Sequence, residues 1–90
     1  MIQISDFDWD EQNLEHIHSH QVKEDEVEDV LLFDEPLYYR RKENKYCAFG
    51  VTNGGRYLFI VFAVKGMELI RVITARNMTK AEKGLYNKRK

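Results

Sequence analysis

The chain has 90 residues, 43% of them hydrophobic and 32% charged, which fits one globular domain over residues 1–90 and excludes a disordered polyelectrolyte. No apolar run approaches the roughly 20 residues needed to cross a bilayer, and the opening MIQISDFDWD lacks the basic-then-apolar order of a secretory signal. One cysteine, Cys47, excludes an intrachain disulfide and a thiolate metal cluster, and predicts a reducing, cytoplasmic setting.

The first helix signal is DFDWDEQNLEHIHSH. Asp8 is its expected N-cap, with Glu11 three residues on as capping-box partner. Trp9, Leu14 and Ile17 are its apolar residues, and Phe7 is a candidate staple. His16, His18 and His20 stand toward the negative end of the helix dipole. A second, acidic helix follows in KEDEVEDVLLF, where Val27, Val30, Leu31 and Phe33 form the predicted buried stripe and Pro36 ends it. From Leu37 the period changes. LYYRRK, KYCAFGV, RYLFIVFAV and ELIRVITA read as four strands joined by short turns, hence an antiparallel meander. Asn53-Gly54 is a hairpin cue because both residues tolerate positive φ. Thr79 with Glu82 caps a last helix, and the NKRK tail is expected to fray. The fold class is therefore α+β: two N-terminal helices, a four-stranded antiparallel meander and a C-terminal helix.

The net charge of −1 conceals a division. Residues 1–36 hold 12 acids against one base, Lys23, whereas residues 37–90 hold three acids against 13 bases. Such asymmetry points to a polyanionic partner on one face, because screening over ~10 Å makes the local field decisive. The alternative is that folding mixes the halves into ordinary surface ion pairs.

Most catalytic patterns are absent. His16 and His20, four apart, can share a helix face, but neither an HExxH arrangement nor a thiolate completes a metal site. Gly54-Gly55 lacks the surroundings of a phosphate loop, and no serine sits in a nucleophile elbow. Cys47, in a predicted strand, reads as an inert core residue. The basic set remains: Arg40, Arg41 and Lys45 around the first hairpin, Arg56, then Arg71, Arg76, Lys80, Lys83 and Lys88. A period of two puts Ile70, Val72, Thr74 and Arg76 on one face of the last strand, with Arg71 and Ile73 on the other. Arg76 then emerges at the strand end beside a helix start, where a guanidinium can hold phosphate bidentately. The competing reading is that Arg76 bonds backbone carbonyls or Glu82.

Several of these stretches also match a known family. WDEQNLEHIHSHQV resembles the tryptophan-aspartate, asparagine and histidine pattern that opens BrnT-like toxins. GRYLFIVF with IRVITARNMTKAEKGLY resembles their C-terminal signature, and the resemblance spans about Phe7 to Tyr86. It implies a RelE/ParE-like fold and the toxin half of a type II toxin–antitoxin pair. It further implies a ribonuclease that needs no cofactor, neutralised in a hetero-oligomer by a DNA-binding antitoxin, expected to be of ribbon-helix-helix type. Under that reading the reaction is metal-free attack of a ribose 2′-hydroxyl on the adjacent phosphate, which inhibits translation. Arg76 and Arg56, with Arg71 as the alternative, would stabilise charge, His20, Lys83 or Tyr86 would move protons, and Arg40, Lys45, Arg71 and Lys80 would bind RNA. The sequence departs from the family at Gln21, which follows His20 where glycine is usual, and at Glu43-Asn44, where glycine is again usual. If the Gln21 position needs a left-handed backbone, glutamine is strained there by roughly 1 kcal/mol. A catalytically silent antitoxin-binding domain and a nucleic-acid-binding module without cleavage are the other readings.

Overall fold

The protein is described here from a computed structural model covering residues 3–90. Its elements are β1 (Asp6–Phe7), α1 (Glu11–Ser19), α2 (Glu24–Phe33), β2 (Leu37–Lys42), β3 (Lys45–Val51), β4 (Tyr57–Gly66), β5 (Leu69–Asn77) and α3 (Lys80–Arg89). The sheet order is β1-β5-β4-β3-β2. β2 to β5 form the expected antiparallel meander, but the sheet has five strands rather than four: β1 pairs parallel to β5, Asp6 opposite Leu69 and Phe7 opposite Ile70. A two-residue strand has no periodicity of its own, and only its partner defines it.

α1 and α2 cover one face, here called the inner face. Leu58, Ile60 and Phe62 of β4 project into it, meeting Ala48, Ile70, Val72 and Ala75 from neighbouring strands and Ile17, Val22, Val27, Val30 and Leu31 from the helices. The helices approach closely at Gly50. A Cβ there would lie 2.6 Å from Val30 Cγ1 and 2.7 Å from Asp34 Oδ2, so only glycine fits. Phe33 does not join the stripe. It is 76% exposed, because helical spacing turns it away from Val27, Val30 and Leu31.

Local chemistry differs from expectation at three further points. The N-cap of α1 is Asp10, not Asp8, and its partner is Asn13, not Glu11: Asn13 N–H donates to Asp10 Oδ1 at 3.1 Å and Asp10 N–H to Asn13 Oδ1 at 2.8 Å. Trp9 therefore precedes the helix, stacked on Phe7 and donating through Nε1 to Glu28 at 2.8 Å. In the β3–β4 hairpin neither Asn53 nor Gly54 takes positive φ. Gly55 does, at +89°, closing a three-residue loop in which Gly55 N–H donates to Thr52 O and Thr52 N–H to Arg56 O. The tail does not fray at Asn87; α3 continues to Arg89, and Lys90 Nζ donates to Glu35 O at 2.8 Å.

The largest correction concerns β5. Val61 pairs with Thr74 but Phe62 with Val72, so Ile73 is an unpaired extra residue, a β-bulge. The bulge resets the alternation. Ile70, Val72 and Ala75 face inward, while Thr74 and Arg76 turn to the outer face, away from α1 and α2.

Candidate RNA-binding face

Strand register arranges the outer face in rows. Leu37, Phe49, Phe59 and Arg76 lie across from one another on β2, β3, β4 and β5; Tyr39, Cys47, Val61 and Thr74 form the next row, and Lys45, Ala63 and Arg71 a third. α3 follows β5 after a two-residue link and lies over one end of this face. Tyr86, its one buried residue, meets Tyr57 edge-on at 5.8 Å between ring centres. The centre of the face is aromatic: Phe49 contacts Tyr39 at 5.7 Å and Phe59 at 5.0 Å. At its far end Arg41, Lys42 and Lys45 surround Val61 and Ile73.

The charge division thus becomes a division in space. Glu11 and Glu15 on α1, and Glu24, Asp25, Glu26, Glu28 and Asp29 on α2, belong to the layer behind the sheet. Among the described residues, only Arg56, Arg71 and Arg76 of the lysines and arginines enter a salt bridge. Mixing of the halves is confined to Arg56 with Glu26 and Arg71 with Asp8 and Asp10. The other cations of β2, β3 and α3 are exposed and have no carboxylate partner.

Arg76 is the most constrained of the group. Its guanidinium lies 4.3 Å from the Phe59 ring centre and forks onto Glu82, Nη1 to Oε1 at 2.8 Å and Nη2 to Oε2 at 3.0 Å. Nη1 also donates to Asn77 O at 3.0 Å. Both readings of Arg76 meet here: it bonds Glu82 and a carbonyl, in a geometry that suits any bidentate oxyanion. The paired Arg76 holds the Glu82 carboxyl below its usual range, helped by the Thr79 N–H, so Glu82 is ionised. Burial pushes the Tyr86 phenol up, and it stays protonated. Lys83 Nζ sits 5.3 Å above the Tyr57 ring.

Arg76, Lys83 and Tyr86 are therefore gathered around Tyr57 and Phe59. The remaining proposed residues are not. Arg56 is committed elsewhere, its Nη1 donating to Gln21 O at 2.7 Å and Glu26 at 2.9 Å and its Nε to Asn77 Oδ1 at 2.7 Å, so it locks the α1–α2 turn to the sheet. His20 is the exposed C-cap of α1, its ring 5.4 Å from that of His16, and no hydrogen bond or ring contact joins it to Arg76, Lys83 or Tyr86. Arg71 clasps Asp10 at 2.9 Å at the opposite end of β5, and Arg40 holds Glu43 O at the β2–β3 turn. Lys45 and Lys80 are exposed and, among the described residues, enter no salt bridge. Among the described residues no group of three or more histidine, cysteine or carboxylate side chains is placed to hold a metal ion. The aromatic members, Tyr39, Phe49, Tyr57 and Phe59, were not singled out from sequence. Their one signal was the aromatic content of the first three strand-like runs.

A family model described as ribonuclease toxin, BrnT, of type II toxin–antitoxin systems matches residues 9–82. The chain belongs to the BrnT family. The matched span includes Arg76 and Glu82 and ends before Lys83 and Tyr86. The 1.1 Å crystal structure of the Brucella abortus ribonuclease toxin, BrnT, superposes with a TM-score of 0.64 at 22% identity, covering 89% of this chain and 100% of that one. That likeness carries the fold: three helices on a mixed five-stranded sheet. Comparison with curated proteins gives no match. Membership of the BrnT family names the partner classes, RNA as substrate and an antitoxin as companion.

Proposed function

We propose that this chain cleaves RNA without a metal ion at the Arg76 end of the outer face, and thereby inhibits translation in the cytoplasm. In this reading the fold is a RelE/ParE-like variant, and the companion is a DNA-binding antitoxin of ribbon-helix-helix type that holds the toxin in a hetero-oligomer. The observation that supports it is the Arg76–Glu82 fork on the Phe59 ring, bordered by unpaired lysines. RNA brings its own nucleophile, so the protein need only stabilise charge and transfer protons.

A bound phosphodiester displaces Glu82 and takes both Arg76 donors. The 2′-oxygen then bonds to phosphorus and the P–O5′ bond breaks, leaving a 2′,3′-cyclic phosphate and a 5′-hydroxyl. Glu82 accepts the 2′-hydroxyl proton. Its carboxyl is held low chiefly by Arg76, so transfer of Arg76 to phosphate raises its proton affinity when a base is required. Lys83 donates a proton to the departing O5′. The site offers one carboxylate among cations and phenols, a donor set suited to a phosphate rather than to a divalent metal.

A second reading has a specific observation behind it. Arg56, Arg71 and Arg76 are all paired with carboxylates, as expected of a domain that binds without cleaving. Cleavage of end-labelled RNA in EDTA by wild type, Arg76→Ala and Glu82→Gln separates the two. Loss of roughly 10²–10³ in rate in both folded variants supports catalysis. RNA binding without products from any of them supports the nucleic-acid-binding module without cleavage, and no effect on RNA supports the silent antitoxin-binding domain.

A further inference from the structure

Beside the Arg76–Glu82 pair, α3 does not close onto the sheet. Between them lies an open cavity of about 350 Å³ lined by Leu37, Tyr39, Cys47, Phe49, Leu85 and Tyr86, with Glu82 and Arg89 at its margins. We propose that this cavity receives one unstacked nucleobase of a single-stranded RNA, and that Tyr39 and Phe49 are its stacking surface.

The size lies at the lower end of small-molecule sites, roughly 300–1,000 Å³, and admits a single base rather than a base pair. The walls are aromatic and aliphatic. Tyr39 is 41% exposed, and its ring stands nearly perpendicular to that of Phe49. Stacking on such a ring tolerates any base, and contributes about 1–3 kcal/mol. The margins are polar in complementary senses. Arg89 has no partner among the described residues and offers donors, while the Glu82 oxygens, two acceptor sites each, receive only Arg76 and the Thr79 N–H.

The surrounding charge selects the occupant. Along β2, Arg41 lies two residues beyond Tyr39, about 7 Å, and with Lys42 and Lys45 it forms a basic patch continuous with the aromatic row through Cys47 and Val61. Arg89 lines the cavity from α3, and Lys83 of the same helix stands over the Tyr57 ring. Cations therefore stand on both sides of an apolar slot, the arrangement of a polyanionic strand crossing an aromatic surface. A-form duplex keeps its bases stacked and cannot insert one, which makes single-stranded RNA the substrate class.

This inference rests on the outer face being the RNA site, and one experiment separates the two claims. Oligonucleotides of 2′-O-methyl nucleotides, which cannot be cleaved by 2′-hydroxyl attack, carry one 2-aminopurine either in a single strand or within a hairpin stem. Fluorescence and affinity are read for wild type and Tyr39→Leu over a range of salt. The expected result is quenching with the single strand only, and binding about 5- to 150-fold weaker in Tyr39→Leu with an unchanged salt slope. Equal affinity of wild type and Tyr39→Leu for both probes would overturn the base pocket while leaving the RNA-binding face standing. No binding of either probe by wild type would overturn both.

Discussion

Gln21 has φ of +63°, in the left-handed region, where a side chain collides with the backbone. The position is fixed from both sides. Its N–H donates to His18 O at 2.9 Å and its carbonyl accepts Arg56 Nη1 at 2.7 Å, so the backbone cannot relax without releasing the α1–α2 turn. The Gln21 side chain itself is exposed and forms no hydrogen bond among the described residues, which leaves Gln21→Gly as a nearly pure backbone change. Relief of the left-handed conformation is worth roughly 1–2 kcal/mol. Glycine's greater freedom in the unfolded chain opposes this by about 0.4–1 kcal/mol. The midpoints of these ranges leave a net gain of about 0.8 kcal/mol, or roughly 3–6 °C in Tm for a domain of this size. Urea and thermal unfolding of wild type and Gln21→Gly measure it. Glu15→Gly is the control, an exposed position in the middle of α1 where glycine should cost about 1 kcal/mol. Equal or lower stability of Gln21→Gly would refute the argument that this turn is strained.

Gly50→Ala forces a Cβ against Val30 and Asp34 and should destabilise by about 1–3 kcal/mol, read as a shifted urea midpoint. Asn13→Ala removes the side chain that accepts from Asp10 N–H and donates to Asp8 O at 2.8 Å, both part-buried; a loss of about 1–3 kcal/mol is expected by the same assay. Acid unfolding should depend on Arg76. A carboxyl with a lowered folded pKa adds stability above its unfolded value and loses it as pH falls through the folded one, so the Glu82 contribution begins to fall near the unfolded glutamate value of about 4.3 and is gone only below its lowered folded value. Arg76→Ala should accordingly show a shallower fall in stability as pH is lowered below that unfolded value.

Where one local rule decides the outcome, the sequence was sufficient. Thr79 and Glu82 cap α3 as read, α2 occupies the acidic run, and the four long strands appear in order. Gln21 and Glu43, marked as substitutes for glycine, both take positive φ, +63° and +47°. What failed was non-local. β1 exists only because β5 lies beside it, and Asp10 caps α1 because Asn13 is buried and reaches back to it. The Ile73 bulge arises from the register with β4, and a period of two carried past it places Arg76 on the wrong face. The same limit applies to the site. Arg76 was recognised, but its bed on Phe59 and the cavity beside α3 require strands 10 or more residues apart in the chain to lie side by side.

The most direct test of the central claim is analysis of the RNA ends formed by wild-type protein in EDTA, with a matched substrate carrying 2′-deoxyribose at the cleaved position. The account predicts 2′,3′-cyclic phosphate and 5′-hydroxyl ends from the ribose substrate, and no cleavage at the deoxy position. Cleavage at the deoxy position, or products bearing a 5′-phosphate, would contradict it.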